Sequence, residues 1–563
     1  MNILKQCFIF GLLTYAVVAC SKTAEENKTR TVKKGCEYKP VNLDKYGYKP
    51  FEEATIIRSK NGKLSTTLEV ALTERNIAGC DTTLRNYNGE LVGPTLRLNP
   101  GDTLLINLKN KLKKNDIPPP DDINIPHNFN VTNFHSHGLH VSPSGNSDNV
   151  LIAINPGVNF DIEISIPDNH PTGTFWYHAH VHGSTALQVS SGMGGALIIE
   201  DSESDKSLDS VPEIKATKQK TLMLQQISYD EQGEIENYDC FGPGTKTSEG
   251  CNWSKSNRHT TINGQFVPTM TIEEGEVQRW RFIHGGVRET IDLAISGNND
   301  KAWPLYEIAV DGLSLGYINR WESIEMQPGY RSDILVKAPQ LESGFKQQTY
   351  WLYDKPTSAE NALRATDEVR QVLAKIIVVA GSKNMPLPCE KFNQRGQCPR
   401  LAITRPHEDV KDKELTGKAQ FVTFDIRKMT CPEDPTKSCT PCDTEDKTCK
   451  TRFMINNRPF NPVNIRKLEL GTASEWTLNS VLANHPYHIH VNPFQYTRKN
   501  PEDKDEIIWR DTLLVRQNNP VKIRSRYQRY TGQFVIHCHI LDHEDQGMMQ
   551  IVEVELPGGD AHH

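Results

Sequence analysis

Four short stretches of the chain concentrate residues that bind soft and borderline metals. "NFHSHGLHV" carries His135 and His137, and "TFWYHAHVHG" carries His178 and His180. "NHPYHIHVN" carries His485, His488 and His490, and "HCHILDHEDQGMM" carries His537, Cys538, His539, His543 and Met548. His-x-His recurs on strand-like sequence, and on a strand residues i and i+2 project from one face, so each pair addresses a metal from one side. A single pair of this kind is weak evidence, but four clusters are too many for core histidines. Zinc is satisfied by four ligands, and here there are about a dozen. A His2Cys set with a weak methionine describes a blue-copper electron-transfer centre. Cys538, His543 and Met548 supply three of those ligands in order from one loop, and His485 would supply the other imidazole.

The remaining histidines then need a purpose, and strand geometry offers one. In "HCH", Cys538 points one way while His537 and His539 point the other. Copper on Cys538 would be joined through two short backbone paths to metal held by its neighbours. Three coppers plus the blue one store four electrons, the number that reduces O2 to two waters.

With all four stretches present in this order, the chain resembles a three-domain multicopper oxidase of the laccase-like type. The resemblance implies four copper ions. His135 and His488 would hold the type 2 copper, and His137, His178, His180, His490, His537 and His539 the type 3 pair. His485, Cys538 and His543 would hold the type 1 copper with Met548 axial, and adjacent Met549 is the alternative axial residue. Glu544 and Asp148 resemble the two acids that serve the oxygen site in similar enzymes, where O2 reduction consumes protons. The alternative for both is a solvated turn carboxylate. His140 and His182 lie near the clusters but outside the ligand set.

The elements that must position these side chains read as strands. "GDTLLINLKN", "FDIEISI", "GALIIE", "EVQRWRFI" and "SDILVKA" are short, β-rich and bounded by Gly, Pro, Asn or Asp, a pattern of β-sandwiches. The best helical stretch is "SAENALRATDEVRQVLAKI", whose end, "QVLAKIIVVAG", is equally a strand. An internal echo runs through "YNGELVGPTLRLNPGDTLLINL", "INGQFVPTMTIEEGEVQRWRF" and "INNRPFNPVNIRKLELGTASEWTL": an Asn-centred turn, a strand, a glycine, a second strand. Its long period marks duplicated domains rather than a solenoid. The expected architecture is all-β, with domains over 37–203, 204–385 and 386–556. By the resemblance these are three consecutive cupredoxin-like Greek-key sandwiches or barrels. The first and third carry the copper ligands; the middle one has only scattered His259 and His284.

A chain of 563 residues with a formal net charge of −6 has room for several cores and shows no basic stripe for nucleic acid. Residues 1–20, "MNILKQCFIFGLLTYAVVAC", combine Lys5, an apolar run from Cys7 to Val18 and small Ala19 before Cys20, which resembles a bacterial lipobox. On that reading Cys20 is lipidated, residues 21–36 are a tether, and the protein is an exported lipoprotein of the cell envelope, in the periplasm or at the outer membrane. The alternative is an ordinary secretory signal. Of thirteen cysteines, ten remain after Cys7, Cys20 and Cys538, an even number that suits disulfides in an exported chain. Close spacing suggests Cys240 with Cys251 and Cys389 with Cys398; the 431–449 stretch is either disulfide-bonded or a small metal loop.

The expected partners are O2 and a small reductant: a phenol, an aromatic amine or a metal ion. Oxidation of Cu(I) or Fe(II) by an exported metal-homeostasis protein is the second reading. Ten methionines without a rich cluster weigh against Cu(I). A non-catalytic copper protein is disfavoured by the complete ligand set, and a copper nitrite reductase by the eight-histidine cluster.

Overall fold

The computed structural model describes residues 33–36, 41–115, 118–200, 206–235, 259–297, 302–363, 367–389, 392, 398, 401–442, 448–498 and 506–558. The expected signal, most of the expected tether, and Cys240 with Cys251 lie outside the described residues. The rest is almost wholly β. All five segments read as strands are strands: Thr103–Asn110, Asn159–Ser165, Gly194–Ile199, Val277–His284 and Arg331–Lys337. Four short α-helices are described, the longest being Thr185–Ser190. The helix considered near residue 360 is a correction. Turns occupy 359–363, and Gln371–Val379 is a strand between Thr269–Glu273 and Gln347–Asp354. Its run of Val and Ile fits a strand buried on one face, and two neighbours satisfy its backbone.

The strands form three pairs of sheets drawn from successive stretches of chain, 56–199, 218–379 and 420–555. Each pair encloses its own apolar core. Outward strands such as Thr103–Asn110 and Ile291–Gly297 alternate buried and half-exposed residues, as one-sided burial requires.

The internal echo has a shared physical basis. Asn88, Asn263 and Asn456 each take a positive φ, between 51° and 55°, which asparagine tolerates. Each side chain then clips the same two positions of a neighbouring strand. Asn88 accepts from Glu69 N and donates to Thr67 O. Asn263 accepts from Met223 N and donates to Thr221 O, and Asn456 does so with Thr423 N and Phe421 O.

Two connecting segments pack on the middle unit. Pro50 bridges Thr269 and Phe51 joins the middle core. Met385, Leu387, Phe392, Leu401 and Ile403, with the Cys389–Cys398 disulfide among them, pack against Val277, Ile308 and Leu335. Further disulfides join Cys36 to Cys80, Cys431 to Cys439 and Cys442 to Cys449. The 431–449 stretch is therefore stapled rather than built as a metal loop.

Candidate metal centres

The ligand-bearing strands are buried on both faces and pair with one another. His135–His137 runs antiparallel to Gly173–His178, with His135 opposite His178. In the third unit, His485–Ile489 lies between Thr512–Val515 and Gly532–Cys538. There His488 is opposite His537, and Tyr487 opposite Cys538. The period of two turns Cys538 into the third core, beside Met548, while His537 and His539 face the first unit.

Eight imidazoles converge at that boundary, all at most 2% exposed. His135 stacks on His490 at 3.9 Å between centroids, and His137 on His488 at 3.8 Å. His180 Nε2 and His490 Nε2 lie 3.3 and 3.2 Å from His537 Nε2. His539 is 5.0 Å from His137 and 5.9 Å from His178, ring to ring. Ligand atoms come within 4.8 Å of one another in the sets His135–His488–His490 and His180–His490–His537. Burial, reinforced for most of them by mutual repulsion, holds these imidazoles below their ordinary range, to about 4 for His180 and His537. Neutral rings present lone pairs to metal.

On the other side of Cys538, the ligand atoms of His485, Cys538 and His543 also lie within 4.8 Å. Cys538 is the one cysteine among the described residues outside a disulfide. Its Sγ accepts Ile540 N–H at 3.4 Å. Phe424 packs on His485 and Phe453 on His543. Met548 shares the Cys538 core, whereas Met549, opposite His537, packs with Val150, Phe460 and Val535.

The donor chemistry fits copper ions. Nε2 of His135, His137, His178, His485, His488 and His539, and Nδ1 of His543, are buried without a hydrogen-bond partner. Leaving so many buried donors unmet is costly unless a ligand meets them. In several of these rings the opposite nitrogen is engaged and fixes the orientation: His178 Nδ1 meets Ala179 O at 2.9 Å, and His488 Nδ1 meets Asp511 O at 2.9 Å.

The two acids singled out in the sequence are buried, not solvated. Asp148 Oδ1 lies 3.0 Å from His135 Nδ1 and accepts Ser136 N–H at 2.9 Å. Glu544 spans His180 Nδ1 at 3.4 Å and His537 Nδ1 at 3.1 Å, and meets Thr185 Oγ1 at 3.2 Å. Burial pushes both carboxyls up, to about 7. His140 is tied to Val491 O, and His182 packs on Phe460. Both ring nitrogens of His284 serve backbone groups, and His259 packs beside Phe266, so neither joins the metal sites.

Sequence reasoning missed Asp511, Asp545 and Arg331. Asp511 lies behind His137 and His488. Asp545 accepts the N–H groups of Gly183, Thr185 and Ala186 at the start of helix Thr185–Ser190. Arg331 reaches the site from the middle unit. Their partners are remote in the chain, so no local spacing announces them.

Models of the multicopper oxidase family match three stretches, residues 124–204, 242–375 and 433–557. The chain belongs to the multicopper oxidase family. It is an oxidoreductase of that family, coupling copper-dependent oxidation of a reductant to reduction of O2, and its cofactors are four copper ions. Among curated relatives, the multicopper oxidase of Staphylococcus epidermidis is 25% identical over 484 residues, 83% of each chain. A laccase of Bacillus stratosphericus is 24% identical over 518 residues, 84% of this chain and 91% of its own. Among solved structures, a Campylobacter jejuni multicopper oxidase described as a metallo-oxidase aligns with a TM-score of 0.66 and 23% identity, covering 93% of this chain and 98% of its own. The McoA multicopper oxidase of Aquifex aeolicus aligns with a TM-score of 0.66 at 20% identity, covering 90% of this chain and all of its own. This multicopper oxidase therefore shares their fold.

Proposed function

We propose that His485, Cys538 and His543, with Met548 as a weak fourth ligand, would hold the type 1 copper. His135 and His488 hold the type 2 copper, and His137, His178, His180, His490, His537 and His539 the type 3 pair. When bound, the four ions supply one-electron acceptance at one centre and four-electron reduction of O2 to water at the other. The chain's own contribution is positioning and protons. Cys538 turns to one centre while its neighbours His537 and His539 turn to the other, and this single observation carries the reading. Glu544 delivers protons to the oxygen site, a role its position between two imidazoles supports, and Asp148 behind His135 is the second such acid.

The reductant is an organic one, a phenol or aromatic amine. A cavity of about 400 Å³ adjoins His485 through its neighbour Asn484, and is lined by Asn361, Gln517, Asn518 and Glu360. Side-chain amides suit hydroxyl and amino groups. One carboxylate, Glu360, with the cationic Arg516 in the same lining makes a poor cation site, and among the described residues no methionine lines the cavity. Steady-state O2 uptake with phenols, aromatic amines, Cu(I), Fe(II) and Mn(II) tests this. Turnover of Cu(I) or Fe(II) well above that of phenols would overturn the organic reading in favour of a metallo-oxidase.

The protein is exported and anchored through lipidated Cys20, at the periplasmic or outer-membrane face of the envelope. The four disulfides support an oxidising compartment. Mass analysis decides: Cys20→Ala should abolish acylation and leave the precursor uncleaved. A soluble, correctly cleaved Cys20→Ala protein would argue for an ordinary signal.

A further inference from the structure

The middle unit contributes none of these copper ligands, yet it reaches them through one turn. "QPGYRSDILVKA" in the middle unit and "NPGVNFDIEISI" in the first share a pattern, a Pro–Gly turn leading into a strand. Proline at the second position and glycine at the third suit a turn whose third residue takes a positive φ. Both turns form. Tyr330 N–H donates to Gln327 O at 2.9 Å, with Gly329 at φ +89°. Val158 N–H donates to Asn155 O at 3.1 Å, with Gly157 at φ +84°.

The two turns differ in what they face. A Cβ added at Gly157 would meet nothing within 4 Å. One added at Gly329 would lie 2.9 Å from His539 Cδ2, 3.0 Å from His539 Nε2 and 3.2 Å from His137 Nε2. Those two Nε2 atoms, and that of His178, are buried without a hydrogen-bond partner. The three rings form one group, 5.0 to 5.9 Å apart between centroids, distinct from the set of His180, His490 and His537. The turn has no room to retreat. Gly329 N–H donates to His284 O at 2.9 Å, and Gly329 O accepts from Arg331 Nη1 at 2.9 Å. The buried Arg331 is itself held by Asp511 Oδ1 at 2.8 Å and Asp311 O at 2.8 Å. Asparagine also tolerates a positive φ, so the turn by itself does not demand glycine; the space beside the imidazoles does.

We propose that Gly329 keeps open the space at the His137–His178–His539 copper, one of the type 3 pair. The unit without copper ligands thereby sets the free volume on that side of the oxygen site. Gly329 is a positioning residue. A side chain there stands against two metal-facing nitrogens, and either the ion or the His539 ring must give way. This rests on the reading of His137, His178 and His539 as ligands of a type 3 copper.

The test is copper content of the loaded enzyme, with anomalous copper diffraction to locate each ion. Wild type holds four coppers. Gly157→Ala carries the same turn strain into open space and also holds four. Gly329→Ala holds three: the peak between His137, His178 and His539 is lost, while the other peaks and the blue absorbance remain. Should Gly329→Ala not fold, Gly329→Asn, better suited to a positive φ, takes its place with the same expectation. Four full peaks in the variant overturn the proposal. Equal loss at every position of the cluster also overturns it, because the effect is then a general loosening of the interface. Failure of both variants to fold, with Gly157→Ala folded, makes Gly329 purely structural and overturns it too. The ligand reading fails separately, if the wild-type map shows no copper between these three imidazoles.

Discussion

A thiolate binds copper through a strong covalent bond that a hydroxyl cannot reproduce. Cys538→Ser is therefore expected to remove the intense blue absorbance and turnover while the chain folds, because the lost sulfur occupies little of a large core. A blue Cys538→Ser protein would refute the type 1 assignment. Met548 sits in the Cys538 core and Met549 does not. A thioether favours Cu(II) slightly, so Met548→Leu should keep activity and raise the type 1 potential, and Met549→Leu should leave it in place. A redox titration showing the reverse would move the axial role to Met549. Glu544→Gln preserves size and hydrogen bonding but removes the transferable proton beside His180 and His537. All four coppers should stay bound and reduction by substrate stay fast, while reoxidation by O2 slows about a hundredfold. Stopped-flow mixing of reduced enzyme with O2 isolates that step; a wild-type rate would shift the relay to Asp148.

At the scale of elements, the metal sites depend on pairs of strands and on two short helices. Helix Leu541–Asp545 carries His543 and Glu544 and packs on helix Thr185–Ser190 of the first unit. The latter is too short to be stable alone, and its N-terminal N–H groups are met in trans by Asp545. Asp545→Ala would orphan three buried donors at the interface that holds both metal sites. We expect a loss of about 3 kcal/mol, read as a lowered thermal transition, with weakened copper retention. A transition within a degree of wild type would show that the helix is capped without it.

At the scale of the molecule, the proposed oxygen site belongs to no single unit. His135, His137, His178 and His180 come from the first sheet pair, and His488, His490, His537 and His539 from the third. Metal bound between them acts as a cross-link present only in the native state. Stripping copper should lower the thermal transition and refilling should restore it. At a free copper level a thousandfold above the dissociation constant, each site contributes about 4 kcal/mol. Differential scanning calorimetry of apo and reloaded enzyme measures the difference; coincident transitions would mean that the interface is held by protein contacts alone. The hydrogen bonds from Gly183, Thr185 and Ala186 to Asp545 and the ion pair of Asp122 with Arg452, which join the first unit to the third, are among the contacts that would do so.

The candidate metal-binding side chains, the strands that carry them and the repeated β architecture were legible in the sequence, because each is written at short range. A period of two puts Cys538 and its histidine neighbours on opposite sides wherever the strand lies, and an Asn-centred turn recurs in three places for one local reason. What could not be read is what chain-distant residues do to one another. Asp148 was visible as an acid, but only the fold brings it against His135. Cys36 is joined to Cys80, 44 residues away, and no spacing rule selects that pair. Spacing favoured Met548 over its neighbour Met549, and sheet packing puts the two in different cores. The stretch ending at Val379 carries both helical and strand character, and the neighbouring strands decided it by supplying partners for its backbone. Arg331 reads as one more strand residue, yet folding sets it beside His137, 194 residues earlier, because the middle unit packs against the boundary of the other two. Such contacts depend on how whole sheets meet, and burial of their apolar faces determines that across hundreds of residues at once.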